Sequence, residues 1–268
     1  HVSTKSALEQ SMMSKAEDES AFTWRENEAR RIAYSQSGAS NCGATALLNV
    51  LTALQVPVPS ISQAEQAVRT NSRKYGASAC EYLKARSVAG CTGENIVAGC
   101  REVTGGDVVS RFFSFYPPRK VSLQRWLAGW LDKECSAVAT INTQQMYGAD
   151  YWHHQMVFGV DARGVYMTNP VECLSFDELL KGLVSDSVLL VHTSDVKQCR
   201  PQDPEAIDGL GGRWAELRVA EQVRAVASSR EPHVSIPAAY NAGVTVFAKK
   251  GTLAAEALAS ADELPLAK

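Results

Sequence analysis

Long hydrophobic runs are missing from this sequence. The longest, counting glycine, is the six residues from Trp126 to Leu131, whereas a bilayer crossing takes about 20, so no membrane span is expected. An excess of one charge sign is missing too. Lys plus Arg is 27 against 29 for Asp plus Glu, a formal net charge of −2, which gives no positive field to condense on phosphate backbones. Nucleic acid is therefore not an expected partner. The cysteines (Cys42, Cys80, Cys91, Cys100, Cys135, Cys173 and Cys199) form no Cys-x-x-Cys pair and none has zinc-finger spacing to a His pair, so neither a metal nor another cofactor is expected. There is also no Asn-x-Ser/Thr sequon. Seven cysteines allow three disulfides plus a free thiol, or seven reduced thiols, and the missing sequons favour reduced thiols and a cytoplasmic location. No internal repeat of fixed period is present.

What is present suffices for a folded core: 268 residues, 45% hydrophobic and 21% charged, a balance that argues against disorder. Residues 1–33 read as a polar arm running into a helix near 21–33. Apolar spacing of three or four predicts further helices at 44–54, 62–70, 94–103, 122–133, 176–183 and 213–228. Runs of β-branched and aromatic residues predict strands at 108–115, 136–142, 155–161, 165–168, 188–192 and 244–248. Helices come first and strands later, an order that suits an α+β domain with an antiparallel sheet better than alternating βαβ units. The central unit is 34–199. Residues 200–268 open with Pro, Asp and Gly as a linker, and their helix and strand are either an appendage or late additions to the same sheet.

Chemistry concentrates at two places. In Gln36-Ser37-Gly38-Ala39-Ser40-Asn41-Cys42-Gly43-Ala44 a cysteine stands at the mouth of a helix, with Ser40 or Asn41 as N-cap. Free N–H groups and the positive end of the helix dipole favour thiolate there, and the same N–H groups can receive an oxyanion. Gln36, six positions earlier, can add a side-chain amide donor.

The second place is Tyr151-Trp152-His153-His154, which opens a strand and offers a proton shuttle. Asp161-Ala162-Arg163-Gly164 suits a type I turn with a three-residue loop. That loop pairs Asp161 with Val165 and Val157 with Asn169, placing His153 and Asn169 on one face. A two-residue loop would instead put His154 there, so His154 is the alternative base. Tyr147 and Trp152, in the loop before the histidines, are candidates for substrate binding.

Together, Gln36 with Cys42-Gly43-Ala44, His153-x5-Gly159-Val160-Asp161, and Gly164-Val165-Tyr166-Met167-Thr168-Asn169-Pro170 resemble the papain-like cysteine peptidase fold. The likeness covers about 34–193 and is closest to the bacteriocin-processing, C39-like branch. It implies an N-terminal helical part whose nucleophile helix packs on an antiparallel β-sheet. It also implies an oxyanion-hole glutamine (Gln36), a nucleophile (Cys42), a general base (His153) and its orienting partner (Asn169). C39-like members usually carry Asp at the last position. Asn169 would keep the hydrogen bond to the imidazole but removes a negative charge, and papain-type enzymes use Asn in this role. The expected chemistry is acyl transfer through a Cys42 thioester, as a thiol peptidase or amidohydrolase acting on a peptide, amide or thioester. The alternatives are an acyltransferase or transpeptidase with phytochelatin-synthase-like chemistry, and a non-catalytic binding protein on the same frame.

Overall fold

Four helix starts carry the same local side-chain signal. Ser60, Ser78, Thr92 and Ser175 each accept the backbone N–H three residues on, and Gln63, Glu81, Asn95 and Glu178 reach back to the N–H of the cap. Two otherwise unpaired donors are thus satisfied at each start. The computed structural model describes residues 20–200, 205–228 and 230–267; the arm expected over the first 19 residues lies outside them. In chain order the elements that build the fold are β1 (Ala21–Phe22), α1 (Glu26–Ile32), α2 (Cys42–Ala53), α3 (Ile61–Ala67), α4 (Ala79–Ser87) and α5 (Gly93–Val103). Then come β2 (Val108–Ser114), α6 (Leu123–Leu131), β3 (Ser136–Asn142), β4 (Trp152–Asp161), β5 (Gly164–Met167) and β6 (Glu172–Leu174). They are followed by α7 (Phe176–Leu183), β7 (Val188–His192), β8 (His233–Pro237), β9 (Gly243–Lys249) and α8 (Leu253–Ala259).

The fold is α+β, with helices on both faces of an antiparallel sheet. Strand order is β2-β9-β3-β4-β5-β6, with β1 beside the far half of β4. Residues 243–249, from the C-terminal segment, therefore lie inside the sheet between β2 and β3. Strand β7 does not join it but pairs with β8 in a separate two-stranded sheet. One face of the main sheet packs Ala137, Ala139, Ile141, Val157, Val244 and Val246 against Leu127, Leu179 and Leu258 of α6, α7 and α8. The other packs Val138, Met156, Phe158 and Phe247 against α2, α3 and α5. Helix α2 is buried from Cys42 through Leu51, so it is apolar all round rather than amphipathic.

Several expectations need correction. The helix expected at 21–33 starts only at Glu26, because Ala21 and Phe22 pair with Val160 and Gly159. Glycine is required at 159, where a Cβ would stand 2.1 Å from the Phe22 ring. The helix expected at 213–228 breaks into Gly212–Glu216 and Val219–Ala225 at Arg218, whose φ is +52°. Helices α4 and α8 and strand β8 were not expected.

The β4–β5 hairpin differs from the three-residue loop. Asp161 pairs with Gly164 and Val160 with Val165 across a two-residue turn. Glycine is needed at 164 because a Cβ would meet the Leu174 carbonyl at 2.0 Å. The register then shifts at a β-bulge between Val157 and Gly159, so that Val157 pairs with Met167 and Thr168 N–H donates to the Met156 carbonyl at 2.9 Å. A bulge reverses the alternation of faces. Loop length and bulge therefore cancel in parity, and Asn169 falls on the His153 side of β4 despite the shorter turn.

Candidate active site

Cys42 is the first residue of α2, and Asn41 before it makes no side-chain capping bond. The first-turn N–H groups are thus not consumed by a cap. Cys42 is 7% exposed and lines a cavity of about 540 Å³. Four of the residues singled out from sequence, Gln36, Cys42, His153 and Asn169, line this cavity, as do Trp152 and His154.

The Cys42 thiol and the His153 imidazole lie close enough to shift each other's pKa, through a side-chain hydrogen bond and through their charges. The imidazole Nε2 lies 2.7 Å from the main-chain carbonyl oxygen of Asn169. A carbonyl only accepts, so Nε2 carries a proton, which leaves Nδ1 as the nitrogen available to the Cys42 thiol. Burial alone would raise the Cys42 pKa, but the bond and charge of His153, with backbone N–H groups of His154 and Gly43, outweigh it and hold the thiol below its ordinary value. For His153 burial acts downward, whereas the bond and charge of Cys42, the Asn169 carbonyl and the charge of Glu172 carry its pKa above the ordinary imidazole value. Both shifts favour a thiolate–imidazolium pair.

The Asn169 side chain does not orient the imidazole, contrary to the expectation. Its carbonyl does, presented by a backbone with φ of +60°. The side-chain amide grips Gln36 instead: Oδ1 accepts the Gln36 backbone N–H at 3.0 Å and Nδ2 donates to Gln36 Oε1 at 3.1 Å. This leaves Gln36 Nε2 as the donor that can face a substrate oxygen. The charge that the Asn position lacks comes from Glu172, whose Oε1 also accepts from Gln155 Nε2 at 2.8 Å.

His154, the alternative base, is committed elsewhere. It is 1% exposed, under α2, with Nε2 donating to the Cys91 carbonyl at 2.8 Å and Nδ1 accepting from Thr140 Oγ1 at 3.0 Å. Burial depresses its pKa to about 4, so it stays neutral at physiological pH. Tyr147 does not reach the cavity and is 53% exposed. The turn Gln144–Tyr147 is pinned by Gln144, which bonds both the carbonyl and the N–H of Leu190 and leaves Tyr147 on the outside. Trp152 lines the cavity but also stacks on Tyr240 at 5.6 Å and donates to the Val188 carbonyl at 3.2 Å.

Several residues of the site escaped the sequence reading. Cys91 packs so close to α2 that a Cβ on Gly43 would stand 2.1 Å from its Sγ, and burial with the nearby Cys42 charge pushes its thiol pKa up. Asn49 is fully buried. It bonds the N–H (2.7 Å) and carbonyl (3.1 Å) of Tyr34 and Thr168 Oγ1 (3.2 Å), tying α2 to the approaches of Gln36 and Asn169. A lone Asn in the apolar run Ala44–Leu54 was the available signal. Arg73, Arg86 and Tyr240 also line the cavity, and no local motif marks them. Cys42, Cys91, Cys100, Cys135, Cys173 and Cys199 are free thiols. Among the described residues no cluster of His, Cys, Asp or Glu is suited to a metal ion, and no helix is long and apolar enough to cross a membrane. No protein-family model matches the sequence, and no curated protein gives a significant match.

Proposed function

We propose that the protein is a cysteine-dependent acyl-transfer enzyme on a papain-like, C39-like frame, acting as a thiol peptidase or amidohydrolase. One observation carries this reading: a buried cysteine at a helix N-terminus paired with a histidine in one cavity, with the two pKa values moved in opposite directions. Structural cysteines buried in apolar surroundings shift upward, as Cys91, Cys100 and Cys135 do; a lowered thiol is the mark of a nucleophile.

In this mechanism the Cys42 thiolate attacks an amide carbonyl, and the oxyanion is received by first-turn N–H groups of α2 and by Gln36 Nε2. His153 gives its Nδ1 proton to the leaving amine, the C–N bond breaks and a Cys42 thioester remains. Water then loses a proton to His153 as it attacks the thioester, releasing the acid and restoring the pair. The Asn169 carbonyl holds the ring throughout. An amine or thiol acceptor in place of water would give a transferase, and product analysis with added acceptor separates the two outcomes.

The test is labelling with iodoacetamide at low stoichiometry followed by mass mapping. Cys42 should be alkylated before Cys80, Cys91, Cys100, Cys135, Cys173 and Cys199. Equal labelling of several cysteines would leave a binding protein on an inert frame as the better account.

A further inference from the structure

Arg86, on α4, is 2% exposed and yet lines the Cys42 cavity. Its Nη2 donates to the Asp150 carbonyl at 2.5 Å and to Asp150 Oδ2 at 3.1 Å. Its Nε and Nη1 are buried without any partner. A guanidinium has five N–H donors, so three of them are left unpaired beside the cavity. Burying charged donors without partners is costly, and such groups call for an explanation, of which a bound ligand is one.

Arg73 lines the same cavity, and its Nε is likewise buried without a partner. The charged groups of the cavity wall are thus Arg73, Arg86 and Asp150, together with the Cys42–His153 pair, which is neutral as a whole. Among the described residues, one carboxylate faces two guanidinium groups, and about one positive charge is left for the occupant. Guanidinium is the side chain best matched to carboxylates. Tyr240, stacked on Trp152, joins the two halves of this wall: Cys42 and Cys91 raise its pKa while Arg86 and Arg73 lower it, after the larger effect of burial.

We infer that Arg86 and Arg73 form a carboxylate-recognition subsite in the Cys42 cavity, so that the acyl substrate carries a carboxylate near the bond under attack. This rests on the acyl-transfer proposal above. The carboxylate can belong to an acidic side chain or to a free chain terminus.

Three reagents separate these sources: N-iodoacetyl-glutamine amide, which is neutral; N-iodoacetyl-glutamine, with a free α-carboxylate; and N-iodoacetyl-glutamate α-amide, with a side-chain carboxylate. Labelling rates at Cys42 are measured at pH 7 by mass and divided by the rate of each reagent with N-acetylcysteine. At least one carboxylate reagent should outpace the neutral one about tenfold or more, a difference of about 1.4 kcal/mol, and the faster of the two names the source. That ratio should fall to about twofold or less in Arg86→Gln and in Arg73→Gln, and persist in the remote Arg111→Gln. Arg73 is only half-buried, so its variant carries the test if Arg86→Gln does not fold. Equal normalised rates for all three reagents in the wild type, or a ratio kept in both cavity variants, would overturn the subsite and leave a reactive Cys42 standing. If no reagent labels Cys42 faster than N-acetylcysteine, the acyl-transfer proposal falls and the subsite falls with it.

Discussion

Asn169→Gly separates the two things residue 169 does. Its main-chain carbonyl holds His153 Nε2, while its side-chain amide makes two bonds to Gln36. Glycine removes only the amide, and it accepts the φ of +60° without the strain that alanine would carry. Two part-buried hydrogen bonds at about 1 kcal/mol each put the stability loss near 2 kcal/mol, read as a lower midpoint in urea. Freed from Asn169, Gln36 is no longer held toward the oxyanion. Turnover should fall by up to about 10²–10³, the full value of one oxyanion donor. The pH dependence of Cys42 alkylation should stay as in the wild type, because the carbonyl that orients His153 is still there. A shift of that profile to the ordinary thiol range, with little change in turnover at saturating thiolate, would refute the division of roles.

Gln36→Ala should slow turnover by about 10²–10³ with the fold intact, checked by steady-state rates beside a thermal melt; an unchanged rate would remove Gln36 from the oxyanion site. Gly43→Ala gains helix propensity of about 1 kcal/mol, but its Cβ would stand 2.1 Å from Cys91 Sγ, and overpacking of about 1–3 kcal/mol wins. Its melting temperature should drop, and adding Cys91→Ala should restore most of the loss. His154 has a pKa of about 4 in the fold against about 6.5 unfolded. Stability from this group is therefore full above pH 6.5 and declines as pH falls toward 4, by about 3 kcal/mol in all. His154→Gln should flatten that part of the urea-midpoint profile, and an unaltered acid slope would argue against a buried neutral His154. Asn49→Ala strands the N–H and carbonyl of Tyr34 and should cost about 3 kcal/mol, with a fall in kcat larger than any change in KM as the Gln36 and Asn169 approaches loosen.

The α+β architecture was legible because its signals are local. A cysteine behind a small-residue loop marks a helix mouth, and β-branched runs mark strands. Spacing linked Gln36 to Cys42 and His153 to Asn169, each within one readable stretch; that the two pairs meet was implied by the resemblance to papain-like peptidases. The β4–β5 pairing could not. The bulge lies between Val157 and Gly159, where Phe22 crowds Gly159, and the turn at Gly164 lies against Leu174; neither contact is marked by a local motif. The parity assigned to His153 agrees with the structure because two departures cancel. The cavity walls were less legible still: Arg86, Cys91 and Tyr240 come from three distant segments, and packing alone brings them beside Cys42. Strand β9 was readable as a strand, but nothing nearby in sequence says that it fits between β2 and β3.

The proposed chemistry depends on the Cys42–His153 pair, and the pH profile of Cys42 alkylation tests that pair most directly. Cys42 is lowered and His153 raised, so the wild type should react as thiolate below the ordinary thiol pKa of about 8.5, and its rate should decline only as pH falls through the depressed Cys42 value. In His153→Ala the remaining backbone donors cannot offset burial, and the midpoint should rise to about 8.5 or above; in His154→Gln the low-pH reactivity should persist. Retention of low-pH reactivity in His153→Ala, or its loss in His154→Gln alone, would contradict the assignment of His153 as the partner of Cys42.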